Sequence, residues 1–194
     1  MSNIVYPESK RIDHIDDYHG IKVLDSYRWL EDSDSKETKE WIDDQNSITH
    51  DYLNKQCKDK SHLKEVLKDM VNYERYSTPY VYDDYTFYFK NDGLQNQSIL
   101  YKRKNNDEKD QVLLDPNKLS KDGTSAISSC EWSENGKYLA YAISENGSDW
   151  SRIYVRNVDT TKDLSLDVLE WVKFSSISWT HDHRGFFYSR YPAP

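Results

Sequence analysis

A serine acyl-transfer site needs a nucleophilic Ser, a His to take its proton, an acid to orient the His, and an oxyanion hole. On a strand-to-helix elbow that Ser lies in G-x-S-x-G, where the small residues permit the sharp turn. The nearest approach here, Gly123-Thr124-Ser125-Ala126-Ile127, lacks the second Gly and lies in a Ser-rich turn, so it reads as structural. His181-x-His183 could chelate from one face of a strand, with Asp182 nearby. Further ligands at compatible spacing are missing, and no metal site is expected. Cys57 and Cys130 are isolated, without C-x-x-C spacing, and read as reduced structural thiols. Asn96-Gln97-Ser98 and Asn146-Gly147-Ser148 match a glycosylation sequon that short patterns meet by chance. No residue of the chain is expected to be catalytic.

The elements that would position such groups change character near residue 72. Before it the pattern is helical and charged; after it short aromatic strands recur between Asn, Asp and Gly turns. Asp34, with Glu37 three residues on, marks a helix start, after which Trp41, Ile48 and Tyr52 share a face that should pack against something larger. A second helix behind a Ser61 cap carries Leu63, Val66, Leu67, Met70 and Val71, a stripe expected in a core. Strands are expected at 85–90, 98–104, 111–115, 127–132, 137–144, 152–158, 174–179 and 185–190. Trp132-Ser-Glu-Asn-Gly-Lys-Tyr-Leu-Ala-Tyr141 recurs 47 residues later as Trp179-Thr-His-Asp-His-Arg-Gly-Phe-Phe-Tyr188. A four-stranded propeller blade needs roughly 40 to 50 residues, so this spacing fits blades, with a degenerate earlier copy near Tyr80–Lys90. The expected fold is mainly β with an α-helical N-terminal segment, two blades and the start of a third. The parts are 1–72 and an incomplete propeller over 73–194.

With 16 Tyr and 6 Trp, the core is expected to be largely aromatic. A formal charge of −8 argues against nucleic acid, which needs a basic face. Lys102-Arg103-Lys104, followed by Asn-Asn-Asp-Glu, reads as a solvated hairpin end. No leader-like start or membrane-length apolar run is present, which makes the cytoplasm the default location and a membrane partner unexpected.

Asp16 to Asp32, DDYHGIKVLDSYRWLED, and the helical SKETKEWIDDQN after it resemble the N-terminal segment of the prolyl oligopeptidase family of serine peptidases. GSDW at 147–150, WVKFSSISWTHD at 171–182 and FFYSRYP at 186–192 resemble the early propeller of those enzymes. Ser26 stands where the family usually has Pro, which would loosen a turn. The resemblance implies a seven-bladed propeller inserted into an α/β-hydrolase domain, against which residues 1–72 would pack. It implies cleavage of short peptides on the carboxyl side of proline, by a Ser, Asp and His beyond the propeller, and it implies no cofactor. It makes Asp16-Asp17-Tyr18-His19 a structural signature rather than a ligand cluster. It also places Trp150 and Phe174 among aromatics lining the subsites for peptide residues upstream of the proline; the bland alternative is that both are ordinary core.

On this reading the chain is an N-terminal fragment, inactive alone, whose partners are short proline-containing peptides and an α/β-hydrolase domain in cis or in trans. The alternative is a non-catalytic truncated paralogue that binds or regulates. A WD or Kelch scaffold fits poorly, because no blade carries those repeats' signatures. Acylaminoacyl-type and oligopeptidase B-type relatives are nearer alternatives, and the N-terminal signature favours the prolyl branch.

Overall fold

The computed structural model describes residues 4–105 and 107–193. The chain divides into two compact units, Met1–Leu67 and Lys68–Pro194, and each is built differently.

The first unit opens with a hairpin of β1 (Ile15–Tyr18) and β2 (Ile21–Leu24), which the sequence reading did not anticipate. Its two-residue turn is His19-Gly20, with φ of 58° and 91°, the left-handed pair that matches strand twist. Asp17 Oδ1 accepts from the Gly20 amide at 2.6 Å. A 3-10 turn, Arg28–Glu31, follows. Arg28 gathers the signature's carboxylates, pairing with Asp16, with Asp25 at 3.2 Å and with Glu31 at 2.6 Å. Trp29 Nε1 donates to the Lys10 carbonyl at 3.0 Å, and Trp41 Nε1 to Ser9 Oγ at 2.9 Å, so two indoles tie down the preceding segment.

Helix α1 (Lys36–Gln56) starts one residue later than expected. Ser35, not Asp34, is the cap, because its extended backbone lets Oγ accept from the Thr38 amide. Helix α2 (Lys60–Val71) starts before Ser61, which lies inside its first turn rather than capping it. Its stripe is not core: Leu63, Val66, Leu67, Met70 and Val71 are all exposed, and no residue of α2 is buried. An amphipathic stripe is buried only where an apolar layer opposes it, and the described residues supply none.

In the second unit β3 (Arg75–Tyr76) and β4 (Tyr80–Tyr82) lie in turn along the same edge of β5 (Tyr85–Asn91), interrupted at Pro79. β6 (Ile99–Lys104) and β7 (Gln111–Leu114) complete this first antiparallel sheet. After a 3-10 turn at Pro116–Lys118, β8 (Ala126–Trp132), β9 (Tyr138–Ser144), β10 (Ser151–Asn157) and β11 (Lys162–Val172) form a four-stranded meander in sequential order. β12 (Ser178–Trp179) and β13 (Phe186–Phe187) pair as a lone hairpin. Two blades and the start of a third are present, as the repeat implies.

The blade order follows from burial. Leu139 to Ile143 of β9 are buried on both faces. Leu139, Tyr141 and Ile143 meet Phe87, Leu100, Leu113, Leu114 and Trp132, while Ala140 and Ala142 meet Ile153, Val172 and Ile177 on the other side. A sheet covered on both faces reads as a continuous apolar run, and YLAYAI is one. The core is mainly aliphatic, against expectation: among the described residues its buried aromatics are Phe87, Tyr88, Trp132 and Tyr141, while Tyr82, Tyr85, Tyr154 and Tyr188 sit at its edge and other Tyr are exposed. A phenol keeps its hydroxyl near water or a partner, which moves the ring outward.

The two copies of the repeat share a turn. Trp132 pairs with Leu139 and Trp179 with Phe186. Ser133 N donates to Tyr138 O, and Thr180 N to Gly185 O, each at 2.9 Å. Gly136 and His183 take the same left-handed position, with φ of 65° and 58°. His181 Nδ1 lies 3.0 Å from Glu134, its counterpart in the other turn, so the pair links the β8–β9 and β12–β13 hairpins.

Lys102 corrects another expectation. It is only 3% exposed, and its ammonium donates to the carbonyls of Val158 and, at 3.2 Å, Asp159 in the next blade. Burial lowers its pKa. In return Arg156 Nη1 of the second blade donates to Leu113 O of the first at 2.6 Å. Arg103 and Lys104 are exposed at the end of β6 as expected; Lys102 alone is buried, because its side chain faces the next blade.

β11 was not foreseen because its alternation is diluted by Lys and Asp; pairing with β10 outweighs that composition. Conversely, the strand expected over 174–179 shrinks to Ser178–Trp179, because Phe174 adopts φ 51° and cannot extend β11.

Candidate functional site

In an antiparallel meander alternate loops emerge at the same end. The loops 92–98, 115–125, 145–150 and 173–177 therefore share one end of the second unit. They are stitched together: Asn117 Nδ2 donates to Gln97 O and the Gln97 amide to Asn117 Oδ1, both at 2.9 Å, and Thr124 Oγ1 bonds Asn146 Oδ1 at 2.8 Å. Trp150 and Phe174 both lie here.

Trp150 closes a loop shaped by Asn146 and Gly147, with φ of 53° and 71°. Its amide donates to Ser148 Oγ at 3.1 Å. Ser151 pairs with Val172, so the register brings Trp150 beside Lys173. Between Ser151 and Ile153 the ladder slips by one residue on the β11 side, and Trp171 takes up the bulge with φ 63°. Its ring then meets Trp150 edge-on at 6.0 Å, and Tyr191 meets Trp150 edge-on at 5.6 Å.

Neither residue is core. Trp150 is 42% exposed and Phe174 79% exposed. Phe174 and Trp171 are bulky residues in the left-handed region, a conformation that costs about 1–3 kcal/mol each and concentrates at functional sites. Lys173 Nζ lies between the two rings, 5.4 Å from the Trp150 centroid and 5.1 Å from that of Phe174, and pairs with Asp149 at 3.3 Å.

Two clefts flank this group. One, of ≈ 360 Å³, runs between Trp150, Trp171 and Ile143 and holds Arg152 loosely between Glu145 at 3.6 Å and Glu170 at 3.5 Å. The other, of ≈ 260 Å³, joins Phe174 to hydroxyls including Ser128, Ser148, Ser151 and Ser175. Flat rings supply contact area for varied side chains, while hydroxyls can bond a passing peptide backbone. Lys173, Asp149 and Trp171 lie within the GSDW and WVKF motifs; only register and the bulge reveal that they meet.

Of the other candidates, the two His stay apart from this end, whereas Ser125 closes its 115–125 loop, where its amide donates to Ser120 Oγ at 3.1 Å. His181 and His183 lie in the turn of the β12–β13 hairpin, and among the described residues no group of three or more His, Cys, Asp or Glu could hold a metal. Ser125 is 2% exposed and leads into β8, not onto a helix. Cys130 is largely buried, which pushes its thiol pKa up to about 11, and Cys57 is exposed; both are free. No helix among the described residues is long and apolar enough to cross a membrane.

A five-stranded and a four-stranded antiparallel sheet packed face to face, with loops gathered at one end, define this as part of a β-propeller. The chain belongs to the prolyl oligopeptidase family: the profile described as "Prolyl oligopeptidase, N-terminal beta-propeller domain" matches residues 7–194. It is 46% identical over 194 residues to the prolyl endopeptidase of Elizabethkingia meningoseptica, covering all of this chain and 27% of that protein. A solved prolyl endopeptidase superposes with a TM-score of 0.84 at 33% identity, covering 98% of this chain and 28% of the other. Prolyl oligopeptidase B from Galerina marginata, bound to a 35mer hydrolysis and macrocyclization substrate, superposes with a TM-score of 0.79 at 35% identity over 99% of this chain and 30% of that one. The chain thus spans under a third of the length of these relatives.

Proposed function

We propose that this chain is the strap and early propeller of a cytoplasmic peptidase that cleaves short peptides on the carboxyl side of proline. The observation that carries this is the 46% identity to a prolyl endopeptidase over the whole chain. In the proposed enzyme residues 1–72 form the strap and 73–194 the propeller portion. An α/β-hydrolase domain supplies the nucleophilic Ser, which attacks the prolyl carbonyl; its His takes the Ser proton and returns it to the leaving amine, and water then hydrolyses the acyl-enzyme. Residues 1–194 contribute no catalytic residue. Their part is to limit access to small, unstructured peptides and, through Trp150 and Phe174, to hold the residues upstream of the proline. Exposed rings at the loop end support that role.

The test joins two measurements. An antibody against residues 16–32 should detect an endogenous polypeptide several-fold larger than 23.1 kDa that cleaves a fluorogenic proline peptide. Purified residues 1–194 should not cleave it. Hydrolysis by the purified chain, with host peptidases excluded, overturns the assignment of catalysis elsewhere. An endogenous product of 23.1 kDa overturns the enzyme reading and leaves a binding protein.

A further inference from the structure

We propose that Lys173 is a positioning residue that fixes the rings of Trp150 and Phe174 as two walls of one peptide-binding slot. The inference rests on the reading that these rings meet the peptide upstream of the proline. Its physical basis is the placement of one ammonium within cation–π range of both rings, at 5.4 Å and 5.1 Å. Asp149 fixes that ammonium from the loop that carries Trp150, at 3.3 Å. Lys173 itself is held by the strand, because it follows Val172, which is 2% exposed and paired with Ser151. A charge anchored by a buried neighbour thus ties together two rings whose loops the Ser151–Val172 register has already brought side by side.

The two rings depend on Lys173 unequally. Trp150 also meets the edges of Trp171 and Tyr191, so it stays oriented without the ammonium. Phe174 is 79% exposed on a left-handed backbone, and among the described aromatic and cation–π contacts its partner is Lys173. Removing the charge should therefore free Phe174 and open the slot on that side only. A side chain with no such role would release both rings or neither.

The test compares Lys173→Met, which keeps the stem without the charge, and Lys173→Arg, which keeps the charge, in the endogenous-length polypeptide. Two proline peptides are used, one beginning at the residue before proline and one extended upstream by two residues. Lys173→Met should raise KM for the extended peptide roughly fivefold at unchanged kcat and leave the short peptide unaffected, with Lys173→Arg restoring the extended peptide. Equal losses on both peptides, no loss, or failure of arginine to rescue overturns the inference. A second measurement does not need catalysis: 4-fluorophenylalanine at position 174 and 5-fluorotryptophan at position 150, read by fluorine NMR. Lys173→Met should shift the 174 resonance, because the ammonium 5.1 Å from its ring centroid is lost, and leave the 150 resonance in place. Unmoved or equally moved resonances overturn the inference. If the wild-type polypeptide cleaves no proline peptide, the functional reading fails, and the fluorine spectra still decide whether Lys173 orders the rings.

Discussion

Residues 1–67 and 68–194 hold themselves together by different means. In the first unit Thr38 is the one buried residue among those described, and order comes from a two-residue turn, a cap, the Arg28 carboxylate network and two indole hydrogen bonds. In the second, Phe87, Leu100, Leu139, Ile153 and Val158 are 0–1% exposed, and buried Lys102 and half-buried Arg156 bind the backbone between blades. Apolar burial of roughly 25 cal/mol per Å² dominates wherever there is a face to cover, whereas surface ion pairs contribute about 0–1 kcal/mol each. The first unit shows order specified locally without a core; the second shows a core that exists only because sheets repeat.

The sharpest way to break that contrast is Trp132→Ala. Its ring stacks on Tyr80 at 5.2 Å and Tyr82 at 5.6 Å and tilts on Phe87 at 5.1 Å, so its loss should cost about 3–5 kcal/mol. Hydrogen exchange should show amides of 68–194 losing protection while those of α1 keep theirs; equal loss in both would erase the distinction. Trp132→Phe should cost only about 1 kcal/mol, because the indole N–H it removes has no partner.

Arg156→Met comes next, at about 1–2 kcal/mol by urea unfolding, since it leaves Leu113 O, bonded at 2.6 Å, without its charged donor, while the exposed Asp163 keeps the Tyr141 hydroxyl. Arg28→Met, in the more exposed network, should cost about 1 kcal/mol or less.

Cys130 gives the pH test. Burial and Glu131 hold its proton to about 11, against 9.0 for an ordinary thiol, so the folded state binds the proton more tightly than the unfolded state. Its contribution is intact below about pH 9 and is lost as pH rises through 11, about 3 kcal/mol at most. Cys130→Ala should flatten that part of the stability-against-pH curve; an unchanged slope refutes the assignment.

Ser35→Ala should cost about 1 kcal/mol, read as fraying of the first turn of α1 by exchange. Phe174→Gly is expected to have the smallest effect and the opposite sign, raising the thermal midpoint by the equivalent of under about 1 kcal/mol as the left-handed strain is relieved. A fall in midpoint would mean that the exposed ring is packed after all.

Much of this was legible in one dimension. The 47-residue repeat gave the blades, because each hairpin must rebuild the same turn: Ser133 and Thr180, Asn135 and Asp182, Gly136 and His183 occupy matching positions. The candidate rings Trp150 and Phe174 were legible as motif members, but the slot was not, since Lys173 meets them only through the Ser151–Val172 register and the Trp171 bulge. Lys102 reads as solvated in any window of its own sequence, because its partners are 56 and 57 residues away. The α2 stripe, too, is visible as a pattern, yet a pattern states only that a face is apolar.

Sequence by itself determined the apolar runs and the 47-residue repeat, set by side-chain period and turn chemistry within a few residues, whereas the helix caps and the His19-Gly20 turn emerged only with the folded backbone. Tertiary structure alone decided which apolar faces are covered, which cations are buried and which rings meet one ammonium. Those outcomes depend on registers and neighbours far apart in the chain, where burial and hydrogen-bond satisfaction outweigh local propensity.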